Sequence, residues 1–186
     1  MSFTTLKALR TVACCGISRS MVASRSVSVP VTRWYTSVPQ PYQHITLKCN
    51  NQNGVSVLEM KKKPVNSLSL EFLTELNICL EKITNDKSIR GLIITSALPV
   101  FSAGLDIMEL YQPREDRLRT YWHNVQELIL NLHSSPKIVM TAVEGPCIAG
   151  GCMFVWGSDY RIMSEGKHTI GLNEARLVSM TTLILP

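Results

Sequence analysis

No aspartate or glutamate occurs before Glu59 in this 186-residue chain. The opening stretch carries Lys7, Arg10, Arg19, Arg25 and Arg33, which together account for the whole formal net charge of +5. The basic balance is therefore a property of the leader, and the remainder offers no general field for nucleic acid. No run of eighteen apolar residues exists, so the sequence holds no transmembrane-helix candidate. Cys49, Cys79, Cys147 and Cys152 form no C-x-x-C pair and have no histidines at ligand spacing. That argues against zinc, and nothing else in the sequence calls for a metal. G-x-G-x-x-G is absent, and Gly151-Cys152 follow Gly150 where a P-loop needs Lys and then Ser or Thr.

What is present begins with a leader, residues 1–37, rich in Ser, Thr and Arg. It reads as a mitochondrial transit peptide, with Arg33-Trp34-Tyr35 as the processing neighbourhood. The apolar centre Val12–Ile17 is too short for a secretory signal. Val38-Pro39-Gln40-Pro41 then reads as a linker into the main domain. Import implies a reducing matrix, in which the four remaining cysteines are free, small core residues.

The domain opens on two strand-like runs, His44–Cys49 and Val55–Met60, around a loop ending in Asn53-Gly54, a strong hairpin signal. An amphipathic helix follows over about Leu68–Thr84, with Leu70, Leu73, Leu76, Leu80 and Ile83 on one side. Ser67 or Ser69 can cap it, and Glu71 and Glu75 favour its positive end. A strand at Gly91–Ser96 makes the order strand, helix, strand, which implies a parallel sheet with a right-handed crossover. A long helix over about Glu115–His133 shows Leu118, Tyr121, Trp122, Val125, Leu128, Ile129 and Leu132 at core spacing.

Two stretches carry chemistry. Lys137–Val143 is a β-branched strand, followed by Glu144-Gly145-Pro146-Cys147-Ile148-Ala149-Gly150-Gly151-Cys152 and an apolar helical start. Strand, small-residue turn and helix expose backbone N–H groups to a substrate oxygen, and glycine lets that oxygen approach. The alternative is that the glycines serve only close packing. The second stretch, Phe101-Ser102-Ala103-Gly104-Leu105-Asp106, also lies between a strand and a helical segment, and Asp106 reads as a helix cap. Both turns fall at the same end of two parallel strands, where open α/β sheets bind ligands. One amide from each turn can then converge on one oxygen.

These two stretches, with Pro64-Val65-Asn66-Ser67-Leu68, resemble the crotonase (enoyl-CoA hydratase/isomerase) superfamily over residues 42–177. Asn66–Ser69, Phe101–Asp106 and Ile170-Gly171-Leu172-Asn173-Glu174 look most like its Δ3,Δ2-enoyl-CoA isomerase branch. The resemblance implies an α/β fold of the β-β-α spiral type and an acyl-CoA thioester substrate, with no cofactor beyond the coenzyme A of that substrate. It assigns the oxyanion donors to the amides of Ala103 and Gly150. Ala103, Gly104, Leu105, Asp106, Ile107 and Gly150 become substrate-binding, and Lys63 and Asn66 possible CoA contacts. Of the two glutamates that hydratases use, one position holds Met153 and the other Glu174, which leaves a single carboxylate to shuttle a proton from C2 to C4.

The resemblance further implies a homotrimer in the mitochondrial matrix. It stops near Leu177, and residues 178–186 form an apolar tail where the family continues. The expectation is a fold incomplete at its C-terminus and weakly stable, because lost burial removes about 25 cal/mol per Å². Two alternatives stand beside the isomerase: a non-catalytic isoform that binds family subunits, and another reaction of the superfamily such as hydration.

Overall fold

The computed structural model describes residues 42–50 and 52–173. The leader, the tail and Glu174 lie outside the described residues. Two strands, β1 (Ile45–Asn50) and β2 (Val55–Met60), form the expected antiparallel hairpin, with Ile45 opposite Met60 and Asn50 opposite Val55. Helix α1 (Leu70–Asn85) carries the chain to β3 (Gly91–Ser96), which pairs parallel to β2. A short helix α2 (Ile107–Leu110) and the long α3 (Glu115–His133) lead to β4 (Ile138–Val143), parallel to β3. Beyond it come β5 (Cys147–Ile148), a single 3-10 turn at Ala149–Gly151, α4 (Cys152–Trp156), β6 (Tyr160–Met163) and β7 (Ile170–Gly171). The main sheet runs β1-β2-β3-β4-β6, and β5 and β7 make a separate two-stranded piece.

Alternation in the strands decides which side is core. Leu58, Met60, Leu92, Ile94, Val139 and Val143 point to one face and join Phe72, Leu73, Leu76, Leu80 and Ile83 of α1 in a single apolar cluster. Tyr121, Val125, Leu128 and Leu132 of α3 complete it. Both helical stripes were legible as leucine-rich spacings, although Leu70 is only half-buried and Phe72 and Cys79 take its share of the interior.

The cap of α1 differs from expectation. Ser69 occupies the N-cap position but makes no side-chain cap bond. The first helical amide, of Leu70, donates instead to Glu109 Oε1 on α2, at 3.1 Å. A serine there has a local alternative, but a buried carboxylate supplies a stronger acceptor. Glu109 is itself held by Arg117 through two bonds, Nε to Oε2 at 2.8 Å and Nη2 to Oε1 at 2.7 Å. Arg117 also reaches Glu71 at 2.7 Å. These hydrogen bonds, Glu109's first, raise the guanidinium's proton affinity further, so the charge on Arg117 is permanent.

Candidate active site

Because β3 and β4 are adjacent and parallel, the turns that follow them lie side by side at their C-terminal ends. Isolated bridges tie the first turn to its neighbours, Leu68 to Leu105 on one side and Ser102 to Cys147 on the other. The first bridge consists of Leu68 N–H to the Gly104 carbonyl, 2.8 Å, and Asp106 N–H to the Leu68 carbonyl, 3.3 Å. In such a bridge the residue between the two bonded groups turns its own N–H the other way. Leu105 is that residue, and its amide faces the second turn. A Cβ placed on Gly150 would lie 3.2 Å from the Leu105 nitrogen and 3.0 Å from its Cγ.

Glycine is required at one further point of contact. Gly104 has φ +87°, and a Cβ there would come within 2.7 Å of the Gly150 nitrogen and 2.8 Å of Ala149 Cβ. Any side chain at 104 would drive the two turns apart.

The geometry corrects one expected donor. The Ala103 N–H donates to the Val65 carbonyl at 3.0 Å, and the Gly104 N–H to Ser102 Oγ at 3.1 Å. The first is spent on a neighbouring segment and the second on the loop itself. Among the described residues, neither the Leu105 nor the Gly150 amide has a hydrogen-bond partner in the structure. The pair that converges is therefore Leu105 and Gly150, two residues from the expected Ala103. Leu105 gave no side-chain signal; only the bridge to distant Leu68 reveals its free amide.

Asn66 also takes a different role from CoA contact. It is fully buried at φ +49°, a left-handed conformation that asparagine tolerates better than most residues. Its Oδ1 accepts from Lys62 N–H at 2.8 Å, and its Nδ2 donates to Ser96 Oγ at 2.8 Å and the Phe101 carbonyl at 3.0 Å. Its own carbonyl accepts from Ser102 Oγ at 2.9 Å. With every polar group engaged inside, Asn66 braces the loops and has nothing left for a ligand. Lys63 is exposed, and Lys62 is drawn inward to Asp106 Oδ2 at 3.1 Å.

Asp106 does cap α2, its Oδ1 accepting from the Met108 amide at 3.1 Å. Burial pushes its carboxyl upward, but the bonds from Lys62 and Met108, the Lys62 charge and Ser67 Oγ outweigh that and hold it below the ordinary range. As a substrate contact it is already committed. Ile107, beside it, is exposed.

The fold and both turns have known counterparts. The sequence matches the enoyl-CoA hydratase/isomerase family over residues 50–184. The chain belongs to that family. It is 48% identical over 137 residues to mitochondrial enoyl-CoA delta isomerase 1 of mouse, covering 73% of this chain and 47% of that protein. Among solved structures, human mitochondrial delta3-delta2-enoyl-CoA isomerase superposes with a TM-score of 0.71 at 47% identity, over 74% of this chain and 54% of that one. An enoyl-CoA hydratase from Bacillus anthracis gives 0.66 at 28% identity, over 73% and 52%. The chain thus spans about half the length of the curated relatives it matches. The crotonase fold expected from the two motifs is the one observed.

Within this family frame, Met153 is a half-buried apolar residue of α4 packed against the core. It carries no group able to activate water. Cys147 and Cys152 flank the second turn, both buried, and burial pushes the Cys147 thiol well above its usual range. Both fill space beside the turn as small, buried side chains.

Proposed function

We propose that this chain carries the acyl-CoA site of a Δ3,Δ2-enoyl-CoA isomerase, which moves the double bond of a 3-enoyl-CoA to give the trans-2-enoyl-CoA. The observation that carries the reading is the meeting of two unpartnered amides, Leu105 and Gly150, across Gly104. A thioester oxygen placed between them gains two donors, and these bonds strengthen as the oxygen becomes a dienolate. Glu174 takes a proton from C2, and the C–H electron pair moves through C1 onto the thioester oxygen to give the dienolate. As the carbonyl re-forms, the double bond between C2 and C3 forms, that between C3 and C4 breaks, and the same carboxyl returns the proton to C4. No redox partner enters this balance, and the coenzyme A arrives with the substrate. One carboxylate suffices because no water has to be activated, in keeping with Met153 where hydratases use an acid.

The mouse relative's name supports both the reaction and the mitochondrion. The acid-free leader supports the matrix as the compartment, and family resemblance a homotrimer. Incubating the full chain with a medium-chain 3-enoyl-CoA should produce the absorbance of the conjugated 2-enoyl thioester. Glu174→Gln should lower that rate by at least about a hundredfold, the scale of removing a proton-transfer group. A wild-type rate matched by the Glu174→Gln protein would sink the assignment.

A further inference from the structure

We propose that Lys62 and Asp106 form a positioning pair that aims the Leu105 amide, an inference that rests on the oxyanion reading just given. Asp106 follows Leu105 directly, so its placement fixes that peptide from the C-terminal side. From the N-terminal side the Gly104 carbonyl is held by Leu68 N–H at 2.8 Å, whereas the matching bond from Asp106 N–H is longer, 3.3 Å. The side chains make up the difference. Asp106 Oδ2 accepts from Ser67 Oγ at 3.1 Å and from Lys62 Nζ at 3.1 Å. Lys62 Nζ donates in turn to the Ser67 carbonyl at 2.8 Å and to Ser67 Oγ at 3.2 Å. Lysine thus clamps segment 67–68 onto segment 105–106, beside the weaker half of the bridge. Tyr121 secures the same segment from the core, its hydroxyl donating to the Leu68 carbonyl at 2.9 Å.

The pair solves an electrostatic problem as well. A bare carboxylate one residue from the oxyanion contact would repel the charge that develops there. A side chain that caps α2 is useful at that point only if a cation offsets it. Lys62 does so with 14% of its side chain exposed, too enclosed for a lysine left to solvent or free to meet a phosphate. This also accounts for the different fates of neighbouring lysines, Lys63 outward and Lys62 inward.

The test reads the carbonyl directly. Hexanoyl-CoA labelled with carbon-13 at the thioester carbonyl is bound to the full-length chain, and its infrared band is compared with that of the free thioester. Wild type should shift the band to lower frequency. Asp106→Asn keeps the shape and the Met108 bond but loses the charge pair, and Lys62→Met loses it from the other side. Each should retain about half the shift and lower kcat on a medium-chain 3-enoyl-CoA about tenfold, with KM changed less than about twofold, as expected for lost orientation. Lys62→Arg, which retains the cation, should restore most of both, and it carries the test if Asp106→Asn fails to fold. Wild type that binds the probe with no band shift, or does not bind it, overturns the oxyanion reading and this inference with it. A wild-type shift retained in full by Asp106→Asn and Lys62→Met overturns the pair alone. A loss confined to KM, with the band unchanged, does the same.

Discussion

The two turns that meet at the candidate site are held by different forces. Residues 101–106 are tied by polar side chains: Asn66, Ser67, Ser96, Ser102, Lys62 and Asp106 form a connected set of hydrogen bonds. Residues 145–151 have almost none of this and rely on shape. A Cβ on Gly151 would press to 2.8 Å of Ser102 Cβ, and one on Gly145 would collide with the Pro99 carbonyl oxygen. Phe154 packs edge-on against Phe101 with ring centres 6.0 Å apart. Ala149, left-handed at φ +49° without the excuse of glycine, is kept there by its surroundings. The lesson is that an adjustable, charge-bearing turn is set against a rigid apolar one, so only the first has groups by which aim can be tuned.

The sharpest way to break the comparison is at its contact point. Gly104→Ala imposes both a left-handed alanine and an overlap with the Gly150 nitrogen, so it damages both turns at once. Turnover should fall below detection, and the melt should show a loss of about 1–3 kcal/mol from backbone strain. An alanine variant with wild-type kcat would mean the turns do not need this approach.

Next in size is Asn66→Ala, which attacks the polar turn only. It strands the Lys62 amide and the Phe101 carbonyl and forces an alanine to φ +49°, while Ser96 Oγ keeps its bonds to the Val100 carbonyl and the Leu98 amide. Buried unsatisfied groups cost about 1–3 kcal/mol each, partly relieved by water, so denaturant unfolding should show about 2 kcal/mol lost, with turnover lowered but still measurable. Cysteine-labelling protection at Cys147 and Cys152, in the shape-held turn, should be little changed in the native protein.

The smallest effect is the response to acid. Asp106's folded-state value lies below its ordinary 3.8, so its contribution to stability is fully present above about pH 3.8 and fades as pH falls through the lower folded value. Glu71, lowered chiefly by its hydrogen bond from Arg117, adds in the same sense. Asp106→Asn should therefore lower the melting temperature near neutrality, where the carboxylate's contribution is whole, and the gap to wild type should close as pH falls below about 3.8, flattening the acid limb. An unchanged acid limb would show that the carboxyl titrates alike folded and unfolded.

What could be read from the sequence divides along the same line. Helix α3 appears over the residues its apolar spacing indicates, and β3 likewise, because periodicity is a local signal that packing here reinforces. Both glycine-bearing turns were legible because small residues leave a mark in the sequence. The polar couplings were not. Glu109 sits in Ile-Met-Glu-Leu with no local hint that it caps a helix begun at Leu70, and Asn66 reads as a loop residue until Ser96 and Phe101 close over it. Which amide stays free depends on what Val65 and Leu68 take, and those residues belong to another part of the chain. Side chains advertise chemistry, whereas amide availability is a matter of tertiary pairing.

The bridge from Leu68 to Leu105, and the contact from Leu105 on to Gly150, also set a timetable. Contacts between segments so far apart in sequence form late, since each requires the intervening chain to be looped and its elements docked. On a ribosome adding about 5–20 residues per second, the hairpin and α1 emerge well before the glycines they must meet. Until then Leu68 has no Gly104 to bind, and nothing yet marks Leu105 as the donor. Binding of the proposed acyl-CoA at this site would therefore appear only with the last steps of folding, which makes a bound thioester a reporter of the assembled chain.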